Sequence, residues 1–153
     1  MIMDRLKGHP DEVHSITRGL TPTQLKQRTS SGKWSVHEVA MHVCEVQDVH
    51  IEWLSRMLTE DKPHLSSYAP DDARRNGFYL TQDFGKRLAE FDLQRTTMTG
   101  LLQTLTSEQW ALEGIHPGIE HYTIKKAMES LMRHEEHHLY QMYELSLRMH
   151  RQE

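Results

Sequence analysis

Residues 131–142, Leu131-Met132-Arg133-His134-Glu135-Glu136-His137-His138-Leu139-Tyr140-Gln141-Met142, set three imidazoles inside a helical repeat. Reading outward, apolar residues recur at Ile124, Met128, Leu131, Met142, Leu145 and Met149, in steps of three, four or seven with one longer gap at the histidines. That spacing marks one face of a long helix. At about 100° per residue His138 falls inside the stripe and His134 on its flank, whereas His137 points away. An inward ring needs a partner, because a buried unpaired polar group costs roughly 1–3 kcal/mol. Two arrangements meet that need: a metal ion shared by the pair four residues apart, or a core histidine at 138 bonded to a carbonyl with a boundary histidine at 134.

The rest of the chain reads as helix with polar connections and almost no strand signal. A first helix runs from about Met3 to Gly19, and Thr21-Pro22 opens a short helical turn. After loop residues Ser30-Ser31-Gly32, Ser35-Val36-His37-Glu38 forms a capping box for a second helix through Val39, Val43, Val46, Trp53 and Met57 to about Leu58. Thr59 to Pro70, rich in proline, serine and charge, is a long crossover of the kind that covers a site. A third helix carries Phe84, Leu88, Phe91, Met98, Leu102 and Leu105, with Arg95 in the same seam. A short turn at Ser107 to Leu112 and an irregular Glu113 to Gly118 precede Thr123, the expected cap of the fourth helix. The fold expected is all-α, an antiparallel four-helix bundle with a long crossover between its second and third helices, as one domain over residues 1–153; metal sites in such bundles form from inward side chains on facing helices.

Composition narrows the function. Eighteen Lys and Arg stand against 22 Asp and Glu in 153 residues, with no basic stretch, so no nucleic-acid partner is expected. No apolar run reaches the roughly 20 residues of a membrane span or the length of a signal peptide, which points to a cytoplasmic protein with no membrane partner. The single cysteine, Cys44, has no companion for a disulfide or thiolate site. Of the 12 histidines, His9, His14, His64 and His150 lie in polar surroundings and read as surface residues.

Two ligands hold a metal weakly, so the second helix is expected to supply a third. His42 is the candidate, on the edge of the face defined by Val39, Val43, Val46 and Trp53, with Glu38 and Glu45 one turn away on either side. A carboxylate there fixes the imidazole or takes a proton; Glu38 reads mostly as a cap, Glu45 equally as a solvent-facing residue. His50, two turns beyond His42, reads as structural. Arg95 could clamp an anionic substrate, although a stem packed in the interface with its head paired to Glu38, Glu45 or Glu135 is the simpler reading. Tyr68 and the Gly114 to Tyr122 segment could shape a pocket mouth.

Gly32-Lys33-Trp34-Ser35-Val36-His37-Glu38-Val39-Ala40-Met41-His42-Val43, then Tyr122-Thr123-Ile124 and the His134 to Met142 run, resembles the DinB-like superfamily of metal-binding four-helix bundles over nearly the whole chain. In that family a Trp-Ser pair leads into the helix bearing the first histidine, and a histidine pair four apart, followed by Gln, sits on the last helix. The resemblance implies His42, His134 and His138 as the metal triad and leaves His137 outside it. Imidazole ligands suit zinc or nickel, with iron or manganese as further choices, and the resemblance implies that such an ion activates a water or a low-molecular-weight thiol in a hydrolase or thiol transferase acting on a small molecule. A homodimer is compatible with the apolar first helix. Glu45 and Glu135 are the candidate bases.

Other patterns fit less well. His134-Glu135-Glu136-His137-His138 satisfies His-Glu-x-x-His, yet the extended zinc-protease motif would need glycine at Gln141 and histidine at Glu144. Di-iron bundles need two Glu-x-x-His motifs, and Glu38 and His42 stand at the wrong interval. A non-catalytic bundle serving stress response or partner binding remains the alternative outside enzymes.

Overall fold

The computed structural model describes residues 1–151; nothing is described of the side chains of His150 and Arg151, so His150 falls outside the test of its surface assignment. In chain order the elements are α1 (Ile2–Thr17), α2 (Pro22–Lys26), α3 (Val36–Thr59), α4 (Asp72–Arg75), a 3-10 turn (Phe78–Thr81), α5 (Phe84–Leu102), α6 (Ser107–Trp110), β1 (Glu113–His116), β2 (Ile119–Thr123) and α7 (Ile124–Arg151). No helix among the described residues is long and apolar enough to cross a membrane.

Local sequence signals account for the helix starts. Ser35 Oγ accepts from the Glu38 amide while Glu38 Oε1 accepts from the Ser35 amide, closing the expected box. Thr21 and Gln24 do the same ahead of α2, with Pro22 at the first helical position. Thr123 Oγ1 accepts from the Lys126 amide at 3.1 Å and starts α7. Glu38 is wholly buried and also receives Arg28 Nε at 2.8 Å, so its role is to anchor the entry to α3.

The long helices α1, α3, α5 and α7 form a four-helix bundle in which α3 packs on α7 and α5, and α1 packs on the same two. The chain between α1 and α3, and that between α5 and α7, therefore connects helices that are not principal neighbours. Both connections are long enough to carry a helical turn.

Two apolar clusters fill the interior. One takes Leu6, Trp53, Met57, Met98, Met128 and Leu131; the other takes Val13, Val39, Val43, Leu88, Phe91 and Met142. Between them, at the intervening position of each long helix, lie His9, Gln47, Arg95 and Glu135, all buried. Arg95 donates through Nε to Gln47 Oε1 at 2.7 Å and through Nη1 to the Leu6 carbonyl at 2.8 Å and to Glu135 Oε1 at 2.9 Å, with Nη2 on Glu135 Oε2. His9 Nδ1 completes the layer, 2.8 Å from Glu135 Oε1. His9 is thus interior, not a surface residue: it falls on the stripe from Leu6 to Val13, a step of three then four, which its polar neighbours obscured.

The strand expectation also needs correction. Glu113 to Thr123 is an antiparallel hairpin, with Gly114 paired to Tyr122 and an irregularity between Gly114 and His116. Pro117-Gly118 supplies the turn residues. The crossover docks on this hairpin: the Ile115 amide donates to the Pro63 carbonyl at 2.7 Å and the Leu65 amide to the Ile115 carbonyl at 2.9 Å. A Cβ on Gly114 would lie 2.8 Å from Leu65 Cδ1, so glycine lets the two segments meet. The crossover also runs further than Pro70, through α4 and the 3-10 turn to Asp83, which caps α5 by accepting from the Lys86 amide.

Removing one partner of a buried ion pair strands the other charge. Glu135→Leu is expected to lose about 3–5 kcal/mol in urea unfolding, and adding Arg95→Met to recover most of it; a single variant as stable as the wild type would contradict this role.

Candidate metal centre

His42 projects from the buried edge of α3, and His134 and His138 from consecutive turns of α7, the helix packed against it. One ring nitrogen from each lies within 4.8 Å of the others. His134 Nε2 stands 3.2 Å from His42 Nε2 and 3.1 Å from His138 Nε2. Two nitrogens bound to one ion at about 2.0–2.1 Å stand about 3.0–3.4 Å apart for ordinary bond angles.

The surrounding bonds fix which nitrogens face inward. His138 Nδ1 is 2.8 Å from Gln141 Oε1, which only accepts, so Nδ1 carries the proton and Nε2 the lone pair. The hydroxyls of Tyr68 and Tyr79 lie 3.3 and 3.4 Å from His42 Nδ1 and 2.5 and 3.0 Å from Glu45 Oε1. The two hydroxyls also lie 2.9 Å from each other; with their protons given to the carboxylate or shared along that contact, an oxygen lone pair is left to accept from His42 Nδ1–H, and His42 Nε2 is also bare. His134 Nε2 carries at most one proton, so at least one of its two contacts sets lone pair against lone pair. A cation at the centre relieves that repulsion, and the donor set fits one.

Burial, reinforced by the neighbouring imidazoles, lowers the His42 pKa to about 3 and that of His134 to about 4; burial lowers that of His138 as well. All three rings are therefore neutral at pH 7, the form that ligates metal. His134 Nδ1 is buried without a hydrogen-bond partner among the described residues.

The other candidate residues fall into place around this cluster. Glu45 is held by Arg74 Nε at 2.7 Å besides the two tyrosines; burial opposes its charge, but these hydrogen bonds outweigh it and keep its pKa below the usual carboxylate range. Glu135, a candidate base from sequence, and Arg95, whose simpler reading was a packed stem with its head paired to a carboxylate, are engaged with one another in the layer between the apolar clusters, and the Glu135 carboxylate is not part of the histidine group. Burial works against the Glu135 charge, and the bonds from His9 and Arg95 overcome it. His137 is exposed, as its wheel position predicts. Cys44 is buried with its thiol pKa pushed up to about 12, which leaves it inert at neutral pH.

Tyr79, Arg74 and the neighbouring Trp34 were not legible as site residues. Tyr79 is fully buried, reached through a 2.9 Å contact from His37 Nε2 to its carbonyl, and Trp34 lies 4.9 Å from the His42 ring centroid. Trp34 lies in a loop and Tyr79 in the short 3-10 turn, where no helical repeat marks them. Tyr68, expected at a pocket mouth, borders a cavity of about 390 Å³ with His42, His134, Ile119 and Tyr122, so the crossover and the hairpin both reach the cluster.

Residues 5–142 match the sequence model of the DinB superfamily. The chain is 28% identical to YfiT of Bacillus subtilis over 148 residues, covering 94% of this chain and 82% of YfiT, and 25% identical to YuaE of the same organism over 152 residues, covering 92% and 94%. The solved YfiT structure, described as "a probable metal-dependent hydrolase with an unusual four-helix bundle topology", superposes with a TM-score of 0.81 at 25% identity, covering 97% of this chain and 85% of that one.

The depressed histidines make the metal-free protein acid-sensitive. An unfolded chain protonates histidine near pH 6.5, whereas His42 and His134 resist protonation down to about 3 and 4. The unfolded state thus takes up more protons in that window, and stability falls as pH falls from about 6.5 toward 4. The carboxylates of Glu38, Glu45 and Glu135 act in the same direction at lower pH, below about 4.5. Chelator-treated wild type is expected to lose stability in urea titrations across the upper window and His42→Gln to show a shallower slope; identical slopes would contradict the assignment.

Proposed function

The chain belongs to the DinB superfamily, and on that footing we propose that it is a metal-dependent enzyme whose His42, His134 and His138 hold one divalent ion, with a small-molecule substrate in the adjoining cavity. The observation that carries this reading is the convergence of the bare Nε2 atoms of His42 and His138 on His134 Nε2, at 3.2 and 3.1 Å. Three neutral imidazoles leave a coordination position for an outside molecule, as catalytic sites do. When bound, the ion supplies Lewis acidity that lowers the pKa of a water or a low-molecular-weight thiol and permits attack at neutral pH.

The protein's own groups have defined parts. Glu45 acts through Tyr68 and Tyr79 to hold the His42 ring in the tautomer with Nε2 inward; with three donors on its Oε1, it serves as a positioning residue and not as a free base. Gln141 does the same for His138. Trp34 packs on the His42 ring and limits its rotation. The ion pair of Arg95 and Glu135 takes no part in the chemistry. Hydrolysis is the first reading because the YfiT structure is described as that of a probable metal-dependent hydrolase; thiol transfer would use the same open position.

The test is turnover with protein loaded in turn with zinc, nickel, iron or manganese, against esters, amides, and electrophiles supplied with a thiol. Metal-dependent turnover of one class is expected, abolished in His42→Ala and reduced roughly 10–100-fold in Glu45→Gln. Rates that do not depend on metal, or that survive His42→Ala, would overturn the proposal.

A further inference from the structure

The crossover carries a helix that apolar packing does not explain. α4 buries none of its residues, and a helix of four residues does not hold by itself in water. Polar contacts hold it. Asp71 caps α4 through Oδ1, which accepts from the Arg74 amide at 2.9 Å, while Asp71 Oδ2 accepts from Arg74 Nη1 at 2.9 Å. The far end is tied to the start of α3, because the Arg75 carbonyl accepts from Arg28 Nη2 at 3.1 Å and Arg28 also binds Glu38. The Arg74 guanidinium lies 4.9 Å from the centroid of the Phe78 ring. Cap, tether and ring together fix one side chain, and that side chain delivers its Nε to Glu45 Oε1 at 2.7 Å.

An exposed ion pair does little for stability, so the position of this one asks for another use. Its side chains are 29% and 17% exposed, and Arg74 is the one ion-pair partner of Glu45 among the described residues. The same Oε1 takes the hydroxyls of Tyr68 and Tyr79, which both stand beside His42 Nδ1. While the carboxylate stays in place it draws the hydroxyl protons and leaves an oxygen lone pair for His42 Nδ1–H. A carboxylate that loses its cation and turns to solvent frees those hydroxyls to donate to His42 Nδ1 instead. The imidazole proton then sits on Nε2, and the lone pair that faces His134 is lost.

We infer that Arg74 is a positioning residue of the metal centre: acting from the crossover through Glu45, Tyr68 and Tyr79, it keeps the Nε2 lone pair of His42 turned toward His134 and His138. The inference rests on the metal reading above and extends it to the crossover, whose Tyr68 and Pro70 line the cavity beside the histidines. By linkage, an ion held by His42 strengthens the docking of the crossover by the same factor that the docked crossover adds to ion affinity. One carboxylate thus joins the cavity wall to the ion.

Zinc affinity, read by competition of chelator-treated protein with a chromophoric chelator, tests this. Arg74→Gln is expected to bind zinc about three- to tenfold more weakly than the wild type, acting one bond further out than the groups whose loss costs about 10–100-fold, and Arg74→Lys to recover part of the loss with the helical signal unchanged in both. In the metal-free protein, the ring-nitrogen chemical shifts of His42, assigned by their loss in His42→Gln, are expected to show the proton on Nδ1 in the wild type and a gain of the Nε2–H form in Arg74→Gln. Glu45→Gln combined with Arg74→Gln is expected to bind zinc no more weakly than Glu45→Gln alone, since both act by one route. Arg56→Gln, which breaks the surface pair with Glu60, is expected to leave the affinity unchanged. Wild-type zinc affinity in Arg74→Gln, an unmoved His42 tautomer, or losses that add in the double variant would overturn the inference and leave the metal reading standing. A wild type that binds no zinc would overturn both.

Discussion

The guanidinium of Arg95 is the point at which all four long helices meet. Carried on α5, it reaches the Leu6 carbonyl of α1, Gln47 of α3 and both carboxylate oxygens of Glu135 on α7. A charge taken out of water is tolerated only where its donors are met in good geometry, so each helix is held at one rotation and one height. Apolar packing alone would accept several registers of the same faces. Here the two apolar clusters are separated by a polar layer that has to close, and shifting any helix by one residue would open it.

That constraint reaches the histidines through the chain itself. Glu135 follows His134 directly, and at about 100° per residue the two side chains leave α7 in different directions. Fixing Glu135 on Arg95 and His9, toward α5 and α1, turns His134 and His138 toward α3, where His42 lies five residues before Gln47. The outer bonds then refine what the packing begins. Glu45, Tyr68 and Tyr79 present one imidazole lone pair, and Gln141 presents another. The result is a set of neutral donors, held together against their own repulsion by structure at some distance from them.

Much of this was legible in the sequence because it depends on periodicity. The four long helices, the cap at Thr21, the capping box at Ser35, the cap at Thr123, the inward turn of His134 and His138 and the outward turn of His137 follow from spacing and from short-range hydrogen bonding. The association of Arg95 with Glu135 was one of three pairings its charge allowed, and only the packing selects it. His9 was misread because its immediate neighbours are polar while its helical neighbours Leu6 and Val13 are not. The hairpin escaped because its strands are short and its pairing depends on the crossover lying against Ile115. Tyr79 and Arg74 belong to segments without a repeat, whose course is set by what they dock on, and no local pattern ties them to Glu45.

The account turns on one claim, that α3 and α7 share a single ion. Elemental analysis of untagged protein, comparing wild type with His42→Ala and His138→Ala, tests it directly. About one equivalent of metal per chain in the wild type, lost in both variants while the helical signal persists, is the expected result; metal absent from the wild type, or retained at full occupancy in His42→Ala, would contradict it.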